Sequence, residues 1–138
     1  MKREIKFRGK RVDNGEWVFG CLTRYSDYMS YITVDLIEGK VHQVLTATVG
    51  QYTGLKDKNG REIYEGDVVK IYITELITPK GVRKTKENAL VVWLEEDAGF
   101  YSRCHDVYDN PNFHSLINAK EVIEVVGNIH DNPELLEE

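Results

Sequence analysis

At 138 residues, with 41% hydrophobic and 30% charged side chains, the chain is too apolar for wholesale disorder and long enough for one ordinary core or two small subdomains. Its formal net charge of −5, from 18 basic and 23 acidic side chains, weighs against the broad basic surface that grips duplex DNA. No apolar run is long enough to span a bilayer, and Cys21 and Cys104 read as reduced thiols of a cytoplasmic protein.

The start, MKREIKFRGK, alternates charge with apolar residues and does not resemble a secretory signal. Its alternation predicts a short strand near Arg3 to Arg8, with Ile5 and Phe7 on one face. VDNGEW, from Val12 to Trp17, predicts a hairpin turn at Asn14 and Gly15. Trp17, Phe19 and Cys21 would then share a face, with Val18 opposite. YITVDLI, residues 31 to 37, is a β-prone run that returns as a partner strand over Val41 to Leu45. SDYMS, residues 26 to 30, reads as a loop.

The segment GQYTGLKDKNGREIYEGDVVKIYI, from Gly50, spaces Gly54, Gly60 and Gly66 at six-residue intervals. Such a run is either a ligand cradle or a set of chain reversals. Asp57, Asn59 and Gly60 have turn chemistry: an aspartate bonds to backbone two residues on, and glycine takes a left-handed conformation. Gly66 and Asp67 mark a second sharp point before Val68. In VVKIYIT the parity of Val69, Ile71 and Ile73 predicts a core face, with Val68 and Tyr72 partly covered on the other.

TPKGVRKTKEN, residues 78 to 88, breaks the pattern with Pro79 and Gly81 and reads as a flexible loop or long hairpin tip. It holds the best basic patch of the chain: Lys80, Arg83, Lys84 and Lys86. Strand resumes over Ala89 to Leu94, and VIEVVGNI, residues 122 to 129, is a further β-branched run. DNPELLEE has helix-start grammar, with Asn132 as cap and Pro133 in the first helical position.

Chemistry is sparse. Cys104 and His105 are adjacent, so on a strand they face opposite ways, and no zinc spacing is present. Asp106 and Asp109 are candidate oxygen ligands for magnesium or calcium, though the segment is no EF-hand loop and turn formation explains them more simply. A phosphate loop needs glycine amides converging at a helix start. Here Gly60 and Gly66 lead into strand residues, and Asp67 would repel the phosphate. No nucleophile with an oriented base can be assigned, so the expectation is a protein that is not an enzyme and needs no cofactor or metal.

Taken jointly, REIKFRGK near the start, VGQYTGLKDKNGREIYEGDVV in the middle and VVGNIHDNPELL at the end resemble the YopX family, small proteins commonly encoded by phages and prophages of bacteria. The resemblance reaches both ends and is least distinct at about residues 78 to 117. It implies a mainly β fold with an SH3-like small barrel, reached through Gly54 to Val69, and supplies no catalytic residues.

The expected organisation is an N-terminal β subdomain over 1–48 and the SH3-like region over 49–138. A flexible insertion lies near 78–88, a short helical turn ends the chain, and the two parts pack as one unit. The expected role is that of a non-enzymatic phage or prophage accessory protein of the host cytoplasm, binding a protein partner or itself. The alternative is a nucleic-acid-binding module using the basic 80–86 segment.

Overall fold

A computed structural model describes residues 4–35, 37–78, 81–105, 111–115 and 123–137. The chain divides into two compact units, Met1–Gly54 and Leu55–Glu138. The first holds β1 (Phe7–Lys10), β2 (Trp17–Arg24), β3 (Ser30–Asp35), β4 (Lys40–Val44), a 3-10 turn at Thr46–Thr48 and the start of β5 (Gly50–Lys56). These strands lie antiparallel in the order β4-β3-β2-β1-β5.

The turn joining β1 to β2 forms because Gly15 adopts a φ of 73° and the Asn14 side chain accepts the Glu16 N–H at 2.9 Å. Ile32, Val44 and Tyr52 form the buried apolar set of this unit. β1 passes so close to β4 that a Cβ on Gly9 would lie 2.9 Å from the Val44 side chain. One isolated bridge, Arg11 opposite Val44, ties the two strand ends, flanked by a bond from the Val12 N–H to the Gln43 carbonyl.

The strand near the N-terminus differs from its sequence reading. β1 begins at Phe7, Ile5 lies outside it and is 61% exposed, and Arg8, at 6%, is buried along with Gly9. Register explains the inversion. Arg8 pairs with Phe19, and its guanidinium carbon lies 4.7 Å from the centre of the Trp17 ring. The aromatic face offers the cation a favourable partner away from water.

The second unit holds β6 (Glu62–Tyr64), β7 (Asp67–Thr78), β8 (Gly81–Leu94), β9 (Gly99–His105), β10 (Pro111–Ser115), β11 (Ile123–Asn128) and a 3-10 turn at Pro133–Leu136. The end of β5 hairpins into β6, and the other five strands form an antiparallel sheet ordered β10-β9-β8-β7-β11. Its core is Ile63, Val69, Ile71, Ala89, Val91, Ile123 and Val125, with Leu55 and Phe100 packed against it. Val68 is fully buried too, so β7 is covered on both faces at its start, against the expectation of one partly covered face. Trp93 shares its strand parity with the buried Ala89 and Val91 but is itself 42% exposed, edge-on to Phe100 at 4.9 Å between ring centres.

The expected SH3-like barrel is not present: the sheets are open. Closure would require β10 to pair with β11, and among the described residues no ladder joins them. The outer side of β11 is instead taken by the turn that follows β5, where the Lys58 N–H donates to the Ile123 carbonyl at 3.0 Å.

Of the two readings of residues 78–88, a flexible loop or a long hairpin tip, the described residues form the hairpin. Residues 81–86 continue β8 in antiparallel register with β7, from Gly81 opposite Thr78 to Lys86 opposite Tyr72. Gly81 opens β8, and the β-branched residues of both strands favour the extended ladder there.

At the C-terminus, Asn132 precedes the 3-10 turn without capping it; its side-chain oxygen accepts the Asn128 N–H at 3.3 Å. Gly127 lets this turn pack down, since a Cβ there would lie 2.5 Å from that same oxygen. The Asn88 amide fastens the turn by donating to the Leu135 carbonyl at 2.8 Å.

The burial pattern separates two isoleucines of like chemistry. Ile63→Ala, at a fully buried site, is expected to destabilise the protein by roughly 2–5 kcal/mol in denaturant unfolding. Ile5→Ala, at an exposed one, should change stability by no more than about 0.5 kcal/mol.

Candidate functional site

Three places bear on function: the glycine-spaced turns, the outer face of the N-terminal sheet and the basic segment. Gly54, Gly60 and Gly66 all have positive φ, at 85°, 81° and 91°. The Gly60 N–H donates to the Asp57 carbonyl at 3.0 Å, and the Gly66 N–H to the Val91 carbonyl at 2.9 Å. Those two amides are spent on the backbone, so they cannot converge on an anion as a phosphate cradle requires.

The turn after β5 is built around Asp57. One carboxylate oxygen accepts the N–H groups of Asn59 and Arg61, each at 2.9 Å, and the other accepts the Val125 N–H at 2.9 Å. The Asp57 backbone N–H donates to the Arg61 carbonyl at 2.8 Å, which closes the hairpin. Asn59 reaches Glu124 at 3.4 Å, and the Lys58 ammonium lies 3.7 Å from the same carboxylate.

Burial pushes the Asp57 carboxyl up, but the N–H bonds from Val125, Arg61 and Asn59, with the Arg61 charge, outweigh it. The group is held below the ordinary aspartate value of 3.8. This is the signature of a structural carboxylate, not of a proton-transfer group poised near neutrality.

Asp67 is as deeply placed. Its carboxylate accepts the Tyr64 N–H at 2.7 Å across the Glu65–Gly66 corner, and the Gly66 carbonyl accepts the Ile129 N–H at 2.9 Å. Both aspartates of the motif face backbone amides. Among the described residues no group of three or more His, Cys, Asp or Glu converges as a metal site. Asp106 and Asp109 lie outside the described residues.

Lys80 also lies outside the described residues. Arg83, Lys84 and Lys86 fall on β8, where Arg83 is opposite Leu76 and Lys86 opposite Tyr72. The charge balance of the two units differs. Residues 1–54 carry eight basic and six acidic side chains, and residues 55–138 ten basic and seventeen acidic.

The outer face of β2, β3 and β4 is the surface that sequence reasoning missed. Cross-strand partners Thr23 and Tyr31, and Thr33 and Val41, share this face, opposite to Leu22 and the buried Ile32. With Tyr25 and Met29 they line a shallow open groove. Tyr25 stands edge-on to Tyr31, ring centres 5.5 Å apart. Of the large hydrophobic side chains exposed among the described residues, all but Trp93 belong to the first unit. The alternation of YITVD signals a two-faced strand, but only the pairing tells which face is covered. Cys21 is a free, exposed thiol on the same strand parity as Thr23.

Linkage gives Asp57 a testable consequence. Its pKa is lowered on folding, so its contribution is fully present above the unfolded value and is lost as pH falls through the folded one. Asp57→Asn should lower stability at pH 7 by about 1–3 kcal/mol. It should also flatten the stability profile below the ordinary aspartate value of 3.8, as read by urea unfolding across that range.

A family model described as YopX protein matches residues 6–137. Among curated proteins none matches the chain. The crystal structure of protein EF1440 from Enterococcus faecalis is similar, with 26% sequence identity, coverage of 99% of this chain and 100% of that one, and a TM-score of 0.56. The family match takes in every strand described above, and the chain belongs to the YopX family.

Proposed function

We propose that this protein is a non-enzymatic phage or prophage accessory protein that works by binding a protein partner or a second copy of itself. The observation that carries the reading is the outer face of β2, β3 and β4. Tyr25 is 72% exposed and Val41 52%, beside Met29 and Tyr31 on one groove. Grouped apolar side chains on a folded surface are favoured where another protein removes them from water. The Asp57 and Asp67 carboxylates of the conspicuous motif serve backbone amides, which supports recognition as the simpler role. Family membership supports the phage setting and, with it, action in the bacterial host cytoplasm.

No helix among the described residues is long and apolar enough to cross a membrane. The nucleic-acid alternative rests on Lys80, Arg83, Lys84 and Lys86, and the acidic balance of residues 55–138 weighs against it.

Light scattering over a concentration series and capture from host lysate test the reading together, on the parent and on Val41→Glu. The parent should self-associate or retain a reproducible protein partner, and Val41→Glu should lose it while remaining folded by circular dichroism. No association by either route, or association unchanged by Val41→Glu, would overturn the assignment of this face. Salt-sensitive retention of nucleic acid, abolished by neutralising the four basic residues, would favour the alternative.

A further inference from the structure

We propose that the turn at Asp57 and Lys58 guards the outer edge of β11, and that without it this edge adds a strand from a second copy of the chain. Among the described residues β11 is the last strand of its sheet, with its ladder to β7 on one side. An antiparallel edge strand aims the N–H and C=O groups of alternate residues away from its neighbour, and such a row is a template for another strand. In β11 the outward groups include the Ile123 carbonyl and the Val125 N–H. The first accepts the Lys58 N–H at 3.0 Å and the second donates to the Asp57 carboxylate at 2.9 Å.

The strand itself, IEVVGN, is rich in β-branched residues and carries a single charge at Glu124. Those are the features that favour pairing once backbone groups are free. Glu124 is engaged by Asn59 and Lys58 of the same turn, so the turn also holds the one charged side chain of the edge. A second β11, antiparallel and related by a two-fold axis, satisfies the same two backbone groups reciprocally. The carboxylate thus acts as an acceptor that occupies a ladder position yet cannot continue the ladder. This goes beyond holding the hairpin, because it predicts a change of association state as well as of stability.

Two variants separate the roles, both made on a Val41→Glu background so that contacts through the β2–β4 face do not contribute. Asp57→Ala removes the acceptor of the Val125 N–H. Lys58→Pro removes the donor to the Ile123 carbonyl and the ammonium beside Glu124 while keeping the Asp57 carboxylate, at the first central position of the turn, where proline is well accommodated. Sedimentation and light scattering over a concentration series should show both variants associating about tenfold or more tightly than their parent, with circular dichroism still reporting β structure.

The proposal is overturned if folded variants keep the parent's mass throughout, or if association appears only with loss of the β signal. Should Asp57→Ala fail to fold, the result with Lys58→Pro decides by the same criteria.

Discussion

A single carboxylate joins two stretches of chain that lie far apart in sequence. Asp57 closes its own hairpin through Asn59 and Arg61, and through its second oxygen holds Val125, 68 residues further on. Burying a charge is costly unless its hydrogen-bonding capacity is filled, and here three backbone amides fill it. The last strand of the sheet is thereby fastened to the turn that begins the second unit. The core between them, including Ile63, Val69 and Ile123, is assembled from segments distant in sequence.

The same interaction explains why the sheet stays open. A barrel would need a strand where the turn now sits, and the turn presents a carboxylate and one amide in place of a continuing ladder. Asp67 repeats the device on a smaller scale, holding the Tyr64 amide across the corner while Gly66 bonds to β8 on one side and to the chain after β11 on the other. Glycine and aspartate occur together at the Asp57–Gly60 and Gly66–Asp67 corners because each corner needs a residue that tolerates positive φ and an acceptor that fills the amides exposed by turning.

What could be read in advance follows the range of the forces involved. The strands β3, β4 and β7 are announced by local alternation and β-branched content, and D-K-N-G announces a turn because its bonds span only a few residues. The partner of Asp57 on β11 has no local signal. Whether a sheet closes depends on such distant contacts, and the barrel expectation failed there. Arg8 was misread for a related reason: alternation marks two faces, and only the pairing with β2 and the Trp17 ring reveals which is covered. The groove of the first unit escaped notice because its tyrosines and threonines look the same in sequence whether solvent or protein covers them.

The uneven distribution of charge sets different electrostatic terms for the two units. Residues 1–54 are close to balance, with eight basic and six acidic side chains, so an apolar contact made there draws little on long-range attraction and is insensitive to ionic strength. Residues 55–138, with ten basic against seventeen acidic, surround themselves with a negative field that repels polyanions at low salt. That field fades beyond about 8 Å under physiological conditions. An approaching molecule is thus sorted by sign at one unit and by surface chemistry at the other.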